Sequence, residues 1–438
     1  MRPLRISICA LLVFGILAHG GVEDWALAVF ETGATVLFFL WAIFFGLHKE
    51  KEIVFPAILP PLVAFCGVAA TQWILRVSAS PFATRTQIQL LLTDIVLIFL
   101  AAQAFRTLQD WRSFFWFVML FAFLVSGFGI LQHLTFNGKL YWFREMRYGG
   151  IPFGPYVNRN HFAGFAELAI PVALVPLILG KVRRERRFII GLFALLPIGA
   201  LLMSASRGGL VAFGVELLFV LSFVVLQKAG SKHLLTGGVV LLAALSLVSW
   251  LGVRQVLSRF ASLHTMEVNE SKRASMRHGT WRIFLDHPLM GTGLGTLQLV
   301  YPPYETLYDG KIVNHSHNDY LEALAETGIL GGLCCAWFIG VFFLVALRSL
   351  QEGSNSFAGA LRLAGLAACS GILIHSLVDF NLHIPANAYF FFLMALLATS
   401  DMARAAITNS NRAPAPSTPT RSPRSVQEGA VTIPPTAP

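Results

Sequence analysis

Long apolar runs separated by short polar joints repeat along almost the whole chain. Each run is close to the ~17–25 residues that carry a helix across a bilayer. They fall at 4–19, 25–47, 53–74, 88–105, 114–134, 161–180, 188–203, 208–226, 234–253, 320–347, 357–377 and 386–404. This pattern predicts an all-α polytopic membrane protein with about 12 transmembrane helices, its membrane domain spanning 1–406. No internal repeat or separate soluble domain interrupts it. The first run has a second reading: Arg2 and Arg5 ahead of a short apolar core and Ala18-His19-Gly20 also fit a signal peptide. At the other end, the Pro-rich segment 407–438 lacks the apolar residues for a core and predicts a disordered tail.

Composition agrees with the pattern: 55% of residues are hydrophobic and 13% charged, the balance of a membrane protein. Lys and Arg then orient the spans, because short cytoplasmic loops carry the excess. With the N-terminus inside, that side holds Lys49, Lys51, Arg106, Arg112, the run Lys181-Val-Arg-Arg-Glu-Arg-Arg187, Lys228, Lys232, Arg348 and Arg362. The opposing short loops hold Arg76, Arg85 and Arg207. Both termini are therefore expected in the cytoplasm. Four polar-rich segments then face outward: 135–160, 204–207, a large periplasmic loop at about 254–319, and 376–387. The net charge of +10 has two sources, topogenic charge inside and a basic outer face. The second points to an anionic substrate. Nothing suggests nucleic acid. Cys9, Cys66, Cys334, Cys335 and Cys369 all lie in apolar runs and read as small buried hydrophobes.

The candidate chemistry sits in those outer segments. Asn158-Arg-Asn-His161 opens the sixth span. One Asn suffices for a helix cap, so Asn158, Arg159, Asn160 and His161 together exceed that need, and polar groups at membrane depth are usually functional. In Ser204-Ala-Ser-Arg-Gly-Gly209, Ser206 fits a cap, and the glycines permit a tight turn. Arg207 adds a guanidinium to a helix N-terminus, which suits an anion; the bland reading is a snorkelling side chain. Arg273, Arg277 and Arg282 accompany an amphipathic segment, Trp281–Asp286, whose Trp281, Phe284 and Leu285 share one face. Gly291-Thr-Gly-Leu-Gly295 follows no strand, which argues against a nucleotide loop. Asp319 with Glu322 fits a capping box for the tenth span. His315 and His317 have no such structural excuse, and a histidine is the usual base for a hydroxyl proton. His375, Asp379, Asn381 and His383 reach the same face, which also admits a metal reading, though no soft or closed ligand set is evident.

Taken in order, Asn158-Arg-Asn-His-Phe-Ala-Gly164, Ser206-Arg-Gly-Gly209, Arg277-x-x-x-Trp281 with His287-Pro-Leu-Met-Gly291-x-Gly293-x-Gly295, and His317-Asn-Asp-Tyr-Leu321 through Glu326-x-Gly328 resemble the O-antigen ligase and O-antigen polymerase superfamily of bacterial inner membranes. The resemblance covers roughly residues 156–332. It implies a C-type glycosyltransferase that moves a glycan from undecaprenyl diphosphate, on the periplasmic side, to an acceptor hydroxyl on a glycan or lipid A-core. It implies no metal, nucleotide or other cofactor. Carried over, it makes His317 the catalytic base and Arg207 and Arg277 the diphosphate-binding pair. Asn158, Arg159, Asn160, His161, His315, Asn318 and Tyr320 are expected in support. His315 has no counterpart in the family pattern.

Three rival readings stay open. A polymerase adding repeat units, or an enzyme acting on a protein hydroxyl, would use the same donor site. A polysaccharide transporter or flippase is a different class. Asp94, Glu167 and Glu216 lie within spans and favour it, while the gathering of polar groups on one face and not at the midplane opposes it.

Overall fold

The computed structural model describes residues 1–47, 52–145, 151–226, 263–308, 310–351 and 356–402, with isolated helical positions between 235 and 246. The helices are α1 (Arg2–Leu17), α2 (Asp24–Gly46), α3 (Leu59–Ile74), α4 (Pro81–Ala104), α5 (Leu108–Leu134), α6 (Arg159–Ile178), α7 (Arg187–Ser204), α8 (Arg207–Leu226), α9 (Leu263–Asp286), the short α10 (Leu297–Val300), α11 (Asp319–Gln351), α12 (Phe357–His375) and α13 (Pro385–Thr399). Among the described residues no strand forms beyond two isolated bridges.

Helix starts follow local chemistry. Ser80 accepts from Ala83 N ahead of Pro81, which needs no partner for an N–H it lacks. Thr107 and Asp110 form a reciprocal capping box on α5. These caps begin α4 and α5 about two turns earlier than the apolar runs alone imply. At the centre lies α6, whose residues 162–178 are all buried. Around it pack α5, α7, α8, α12 and α13. Its two internal prolines, Pro171 and Pro176, are tolerated there because neighbouring helices enclose the bend.

The structure bears on the span count only in part. Eight helices among the described residues are long and apolar enough to cross a membrane. α3 and α13 are apolar but shorter, at 16 and 15 residues, or about 24 and 22 Å of helix against a ~30 Å hydrocarbon layer. α13 can be short because almost every residue from Pro385 to Ala398 is buried among its neighbours. α1 packs Ile8, Leu12 and Ile16 into the same core. The expected ninth span, 234–253, lies outside the described residues except for isolated helical positions, and the tail 407–438 lies outside them entirely.

Within the loop expected at 254–319, α9 runs along α11. Met276, Ile283, Leu297, Tyr301, Val313 and Ala325 make a small core of their own. On its other side, Trp281 and Leu285 are exposed, and Phe284 stands against the Trp281 ring at 5.1 Å. The glycine-rich run has a structural task. Gly291, Gly293 and Gly295 all have positive φ. Gly295 N and Leu297 N donate to the two Glu326 carboxylate oxygens, each at 2.8 Å, and Gly293 N donates to the Glu326 carbonyl at 2.9 Å. Opposite, α11 breaks at Gly328 (φ 63°, ψ −163°), where a Cβ would come within 2.4 Å of the Leu289 carbonyl. The loop thus wraps its own buried carboxylate.

Candidate functional site

Four polar segments meet at one end of the bundle. Small residues let them approach: a Cβ on Gly164 would stand 2.3 Å from Asn381 Oδ1, and one on Gly208 would stand 2.6 Å from His375 Nε2 and 3.0 Å from Val378 Cγ2. Close backbone approach through glycine is how membrane helices bring polar ends together. The start of α6, the start of α8, the loop before α11 and the turn between α12 and α13 therefore share one site.

His317 is at its centre. Its backbone is left-handed (φ 54°), a conformation that costs a non-glycine residue roughly 1–3 kcal/mol and persists only where surroundings impose it. Here Asn318 imposes it. Its Oδ1 accepts from Leu321 N at 2.9 Å as the cap of α11, and its Nδ2 donates to the Leu377 carbonyl at 3.0 Å. His317 Nδ1 donates to Asp379 Oδ1 at 3.3 Å, and Asn160 Nδ2 donates to Asp379 Oδ2 at 2.5 Å. Burial resists the charge on Asp379, but His317, His375 and His161 outweigh it and hold the carboxyl well below the usual carboxylate range. The ring of Phe380 stands between His161, His315 and His317, at 4.9, 4.3 and 5.0 Å from their centroids.

The expected support residues fall into two roles. Asn158 caps α6 through Asn160 N at 2.9 Å and lies 3.5 Å from His161 Nε2. The His161 carbonyl accepts from Asn387 Nδ2 at 2.9 Å, and Tyr320 donates to the Leu373 carbonyl at 2.7 Å. These fix helices to each other. Arg159 N closes on the Ile151 carbonyl at 2.9 Å, tying the outer loop to the start of α6. The same loop is fastened to α1 and α2, where Arg144 bonds both His19 and Glu23. That hydrogen bond pulls the Glu23 carboxyl down to about 2.

The capping box expected from Asp319 to Glu322 does not form. Asn318 caps the helix instead, so both carboxylates are released for other work. Asp319 Oδ1 accepts from His383 Nδ1 at 2.6 Å. Glu322 Oε1 accepts from His315 Nδ1 at 2.7 Å and lies 3.4 Å from His383 Nε2, while its Oε2 accepts from Ser316 N at 2.8 Å. Burial opposes a charged His383, yet Glu322 and Asp319 together push its imidazole up to about 10. His315, Glu322 and His383 bring their ligand atoms within 4.8 Å of one another. The expectation of no metal site therefore meets a cluster with metal-ligand chemistry.

Arg207 and Arg277 sit differently. Arg207 begins α8, one residue before the Gly208 that packs on His375 and Val378. Its side chain is exposed. Arg277 lies on α9, next to Met276 of the loop's small core, and no described contact joins it to the His317 cluster. Neither guanidinium has a carboxylate or hydrogen-bond partner among the described residues. Of the acids within spans, Glu167 accepts from His375 Nδ1 at 2.9 Å, both side chains fully buried. Asp94 and Glu216 are buried as well.

Sequence reasoning missed the partners more than the players. Asp379 was visible only as a neighbour on the same face, and nothing in its spacing from His317, 62 positions away, announces the pair.

The O-Antigen ligase family model matches residues 192–336, about a third of the chain, from within α7 to the middle of α11. The match supports the O-antigen ligase superfamily, and includes Arg207, Arg277, His315, His317, Asn318 and Tyr320. The family indicates a ligase- or polymerase-type enzyme of glycan assembly in a membrane, working on a lipid-linked glycan and a glycan acceptor. No curated protein matches the chain.

Proposed function

We propose that this chain is a glycosyltransferase on the periplasmic face of the bacterial inner membrane, moving a glycan from undecaprenyl diphosphate to an acceptor hydroxyl in the manner of an O-antigen ligase. The observation that carries the reading is His317, held left-handed with Nδ1 on a buried carboxylate, in a site to which the start of α8, where Arg207 is exposed, also contributes. With Nδ1 as donor to Asp379, the Nε2 lone pair is the one free to take a proton. His317 is 21% exposed, so an incoming hydroxyl can reach it.

In the reaction, the acceptor oxygen forms a bond to the anomeric carbon as the bond from that carbon to the phosphate oxygen breaks. The hydroxyl proton goes to His317 Nε2. The lipid diphosphate leaves with the electron pair, and Arg207, joined by Arg277, meets its charge through bidentate hydrogen bonds. Asp379 stabilises the imidazolium that forms.

Transfer by the purified full chain, from a lipid-diphosphate-linked glycan to lipid A-core, tests this. His317→Ala should lower kcat by ~10²–10⁴-fold with photo-crosslinking of a lipid diphosphate analogue retained. His315→Ala should cost less. Arg207→Lys and Arg277→Lys should impair turnover, because a point charge lacks the planar fork. Full activity in His317→Ala or in both arginine variants would sink the reading.

A further inference from the structure

We propose that His315, His383 and Glu322 form a divalent transition-metal site, of the kind zinc occupies, at the base of the loop that carries His317. The three side chains come from separate places: the loop before α11, the first turn of α11, and the turn Asn381–His383. Their Nδ1, Nε2 and Oε1 atoms lie within 4.8 Å of each other, with separations of 2.7 Å from His315 Nδ1 and 3.4 Å from His383 Nε2 to Glu322 Oε1. Ligands about 2.0–2.1 Å from a tetrahedral ion stand roughly 3.3 Å apart. Sub-ångström shifts at His315 and closure between the two rings therefore complete the set.

Proximity alone would not carry the assignment. The surroundings of the three ligands point to an ion independently. A metal-binding imidazole characteristically gives its other N–H to a carboxylate, which fixes the tautomer and aims the lone pair. Asp319 Oδ1 does this for His383, accepting from Nδ1 at 2.6 Å and leaving Nε2 toward Glu322. The second Glu322 oxygen is held by Ser316, whose backbone N and Oγ donate at 2.8 and 3.1 Å. Phe380 stacks on the His315 ring at 4.3 Å and an interplanar angle of 23°, fixing its plane. Each ligand thus has a partner outside the set holding it in place.

Charge and access fit as well. Asp319 and Glu322 are 6% and 2% exposed, and two buried carboxylates balance one divalent cation once the imidazoles are neutral. His315 and His383 are 29% and 24% exposed, which leaves an entry path and room for water as a fourth ligand. Imidazole with a single carboxylate suits zinc and its neighbours better than calcium or magnesium, which prefer all-oxygen shells. An ion here would crosslink the His315–His317 loop to the turn after α12. It would not touch the diphosphate, whose charge the arginines meet, so the site stands or falls separately from the transfer reading.

The test reads metal, not turnover. The full chain, purified in detergent without a histidine tag, is equilibrated with micromolar zinc, desalted and analysed for metal content. About one equivalent should remain. His383→Gln and His315→Gln should each lower zinc affinity at least 100-fold, Asp319→Asn by ~10–100-fold, and His317→Gln should leave it unchanged. Cobalt substitution should give visible d–d bands in the wild type that vanish in His383→Gln, with thermal unfolding showing that the variant is folded. Less than a tenth of an equivalent in the wild type, or equal retention in folded His383→Gln, would overturn the assignment.

Discussion

Replacing Asp379 by Asn removes one charge from the proposed base and little else. The side chain is nearly isosteric, and a carbonyl at the Oδ1 position can still accept from His317 Nδ1 and from Phe380 N, as the carboxylate does at 3.3 and 2.9 Å. The Asn160 amide, now 2.5 Å from Oδ2, can rotate to present its oxygen to the new NH2. Geometry and tautomer should therefore survive, and the loss is the carboxylate's attraction for the imidazolium. At 3.3 Å and an effective dielectric of ~20, that attraction is about 5 kcal/mol. With the proton half-transferred in the transition state, about 2.5 kcal/mol disappears, or a fall in kcat of roughly 10²-fold. KM for the donor should hold, since the arginines are untouched. Steady-state transfer assays on detergent-purified wild type and Asp379→Asn measure both constants, and the His317→Ala/Asp379→Asn double variant should be no slower than His317→Ala alone. A folded Asp379→Asn with kcat within threefold of wild type would refute the pairing as part of catalysis.

Further outcomes follow from the same geometry. His317→Gly should be more stable than His317→Ala by roughly 1 kcal/mol, because glycine adopts the left-handed backbone at φ 54° without the Cβ penalty; both should transfer glycan ~10²–10⁴-fold more slowly than wild type. Glu326→Ala strips the acceptor from Gly295 N and Leu297 N and should cost roughly 2 kcal/mol or more, seen as a lowered thermal midpoint and earlier proteolysis of the loop. If the glycine run served a phosphate instead, losing that carboxylate would strengthen anion binding. The depressed Asp379 carboxyl implies a pH dependence of fixed sign: its stabilisation is complete above about pH 4 and is lost as pH falls through the folded-state value. The gap in thermal midpoint between wild type and Asp379→Asn should close as the pH falls below about 5. A gap that widens over that fall would contradict it.

The helices were legible because burial in a bilayer leaves a one-dimensional record, runs of apolar residues of a set length. Where the helix bounds differ from the apolar runs, tertiary packing and capping are the reasons. α13 needs no full span because other helices enclose it, and α4 begins at a Ser-Pro cap that hydropathy does not see. The site was legible as a parts list, since each polar cluster sits at the mouth of a helix in an apolar chain. Its wiring was not. Asp319-x-x-Glu322 has the spacing of a capping box, but Asn318 already supplies the cap, and a spacing rule cannot tell which of two adjacent residues wins. Likewise Gly291-x-Gly293-x-Gly295 reads as a ligand loop until Glu326 is found inside it.

Why such a site sits where helices end, and not deeper, follows from what its members need. A base must exchange its proton with water, and the proposed base, His317, keeps 21% of its side chain exposed. Its counter-charge must be shielded to act strongly, so Asp379 keeps only 2%. A leaving diphosphate on a lipid anchor would be confined to headgroup depth, and the cation proposed to meet it, Arg207, stands at a helix start. Only the boundary between the bundle and water satisfies all three at once. The glycines at 164 and 208 let four segments reach that boundary together, and a side chain larger than hydrogen at either would push Asn381 or His375 away and separate the base from its carboxylate. Activity should therefore be lost in Gly208→Ala through displacement of the turn that holds Asp379, with Arg207 itself intact.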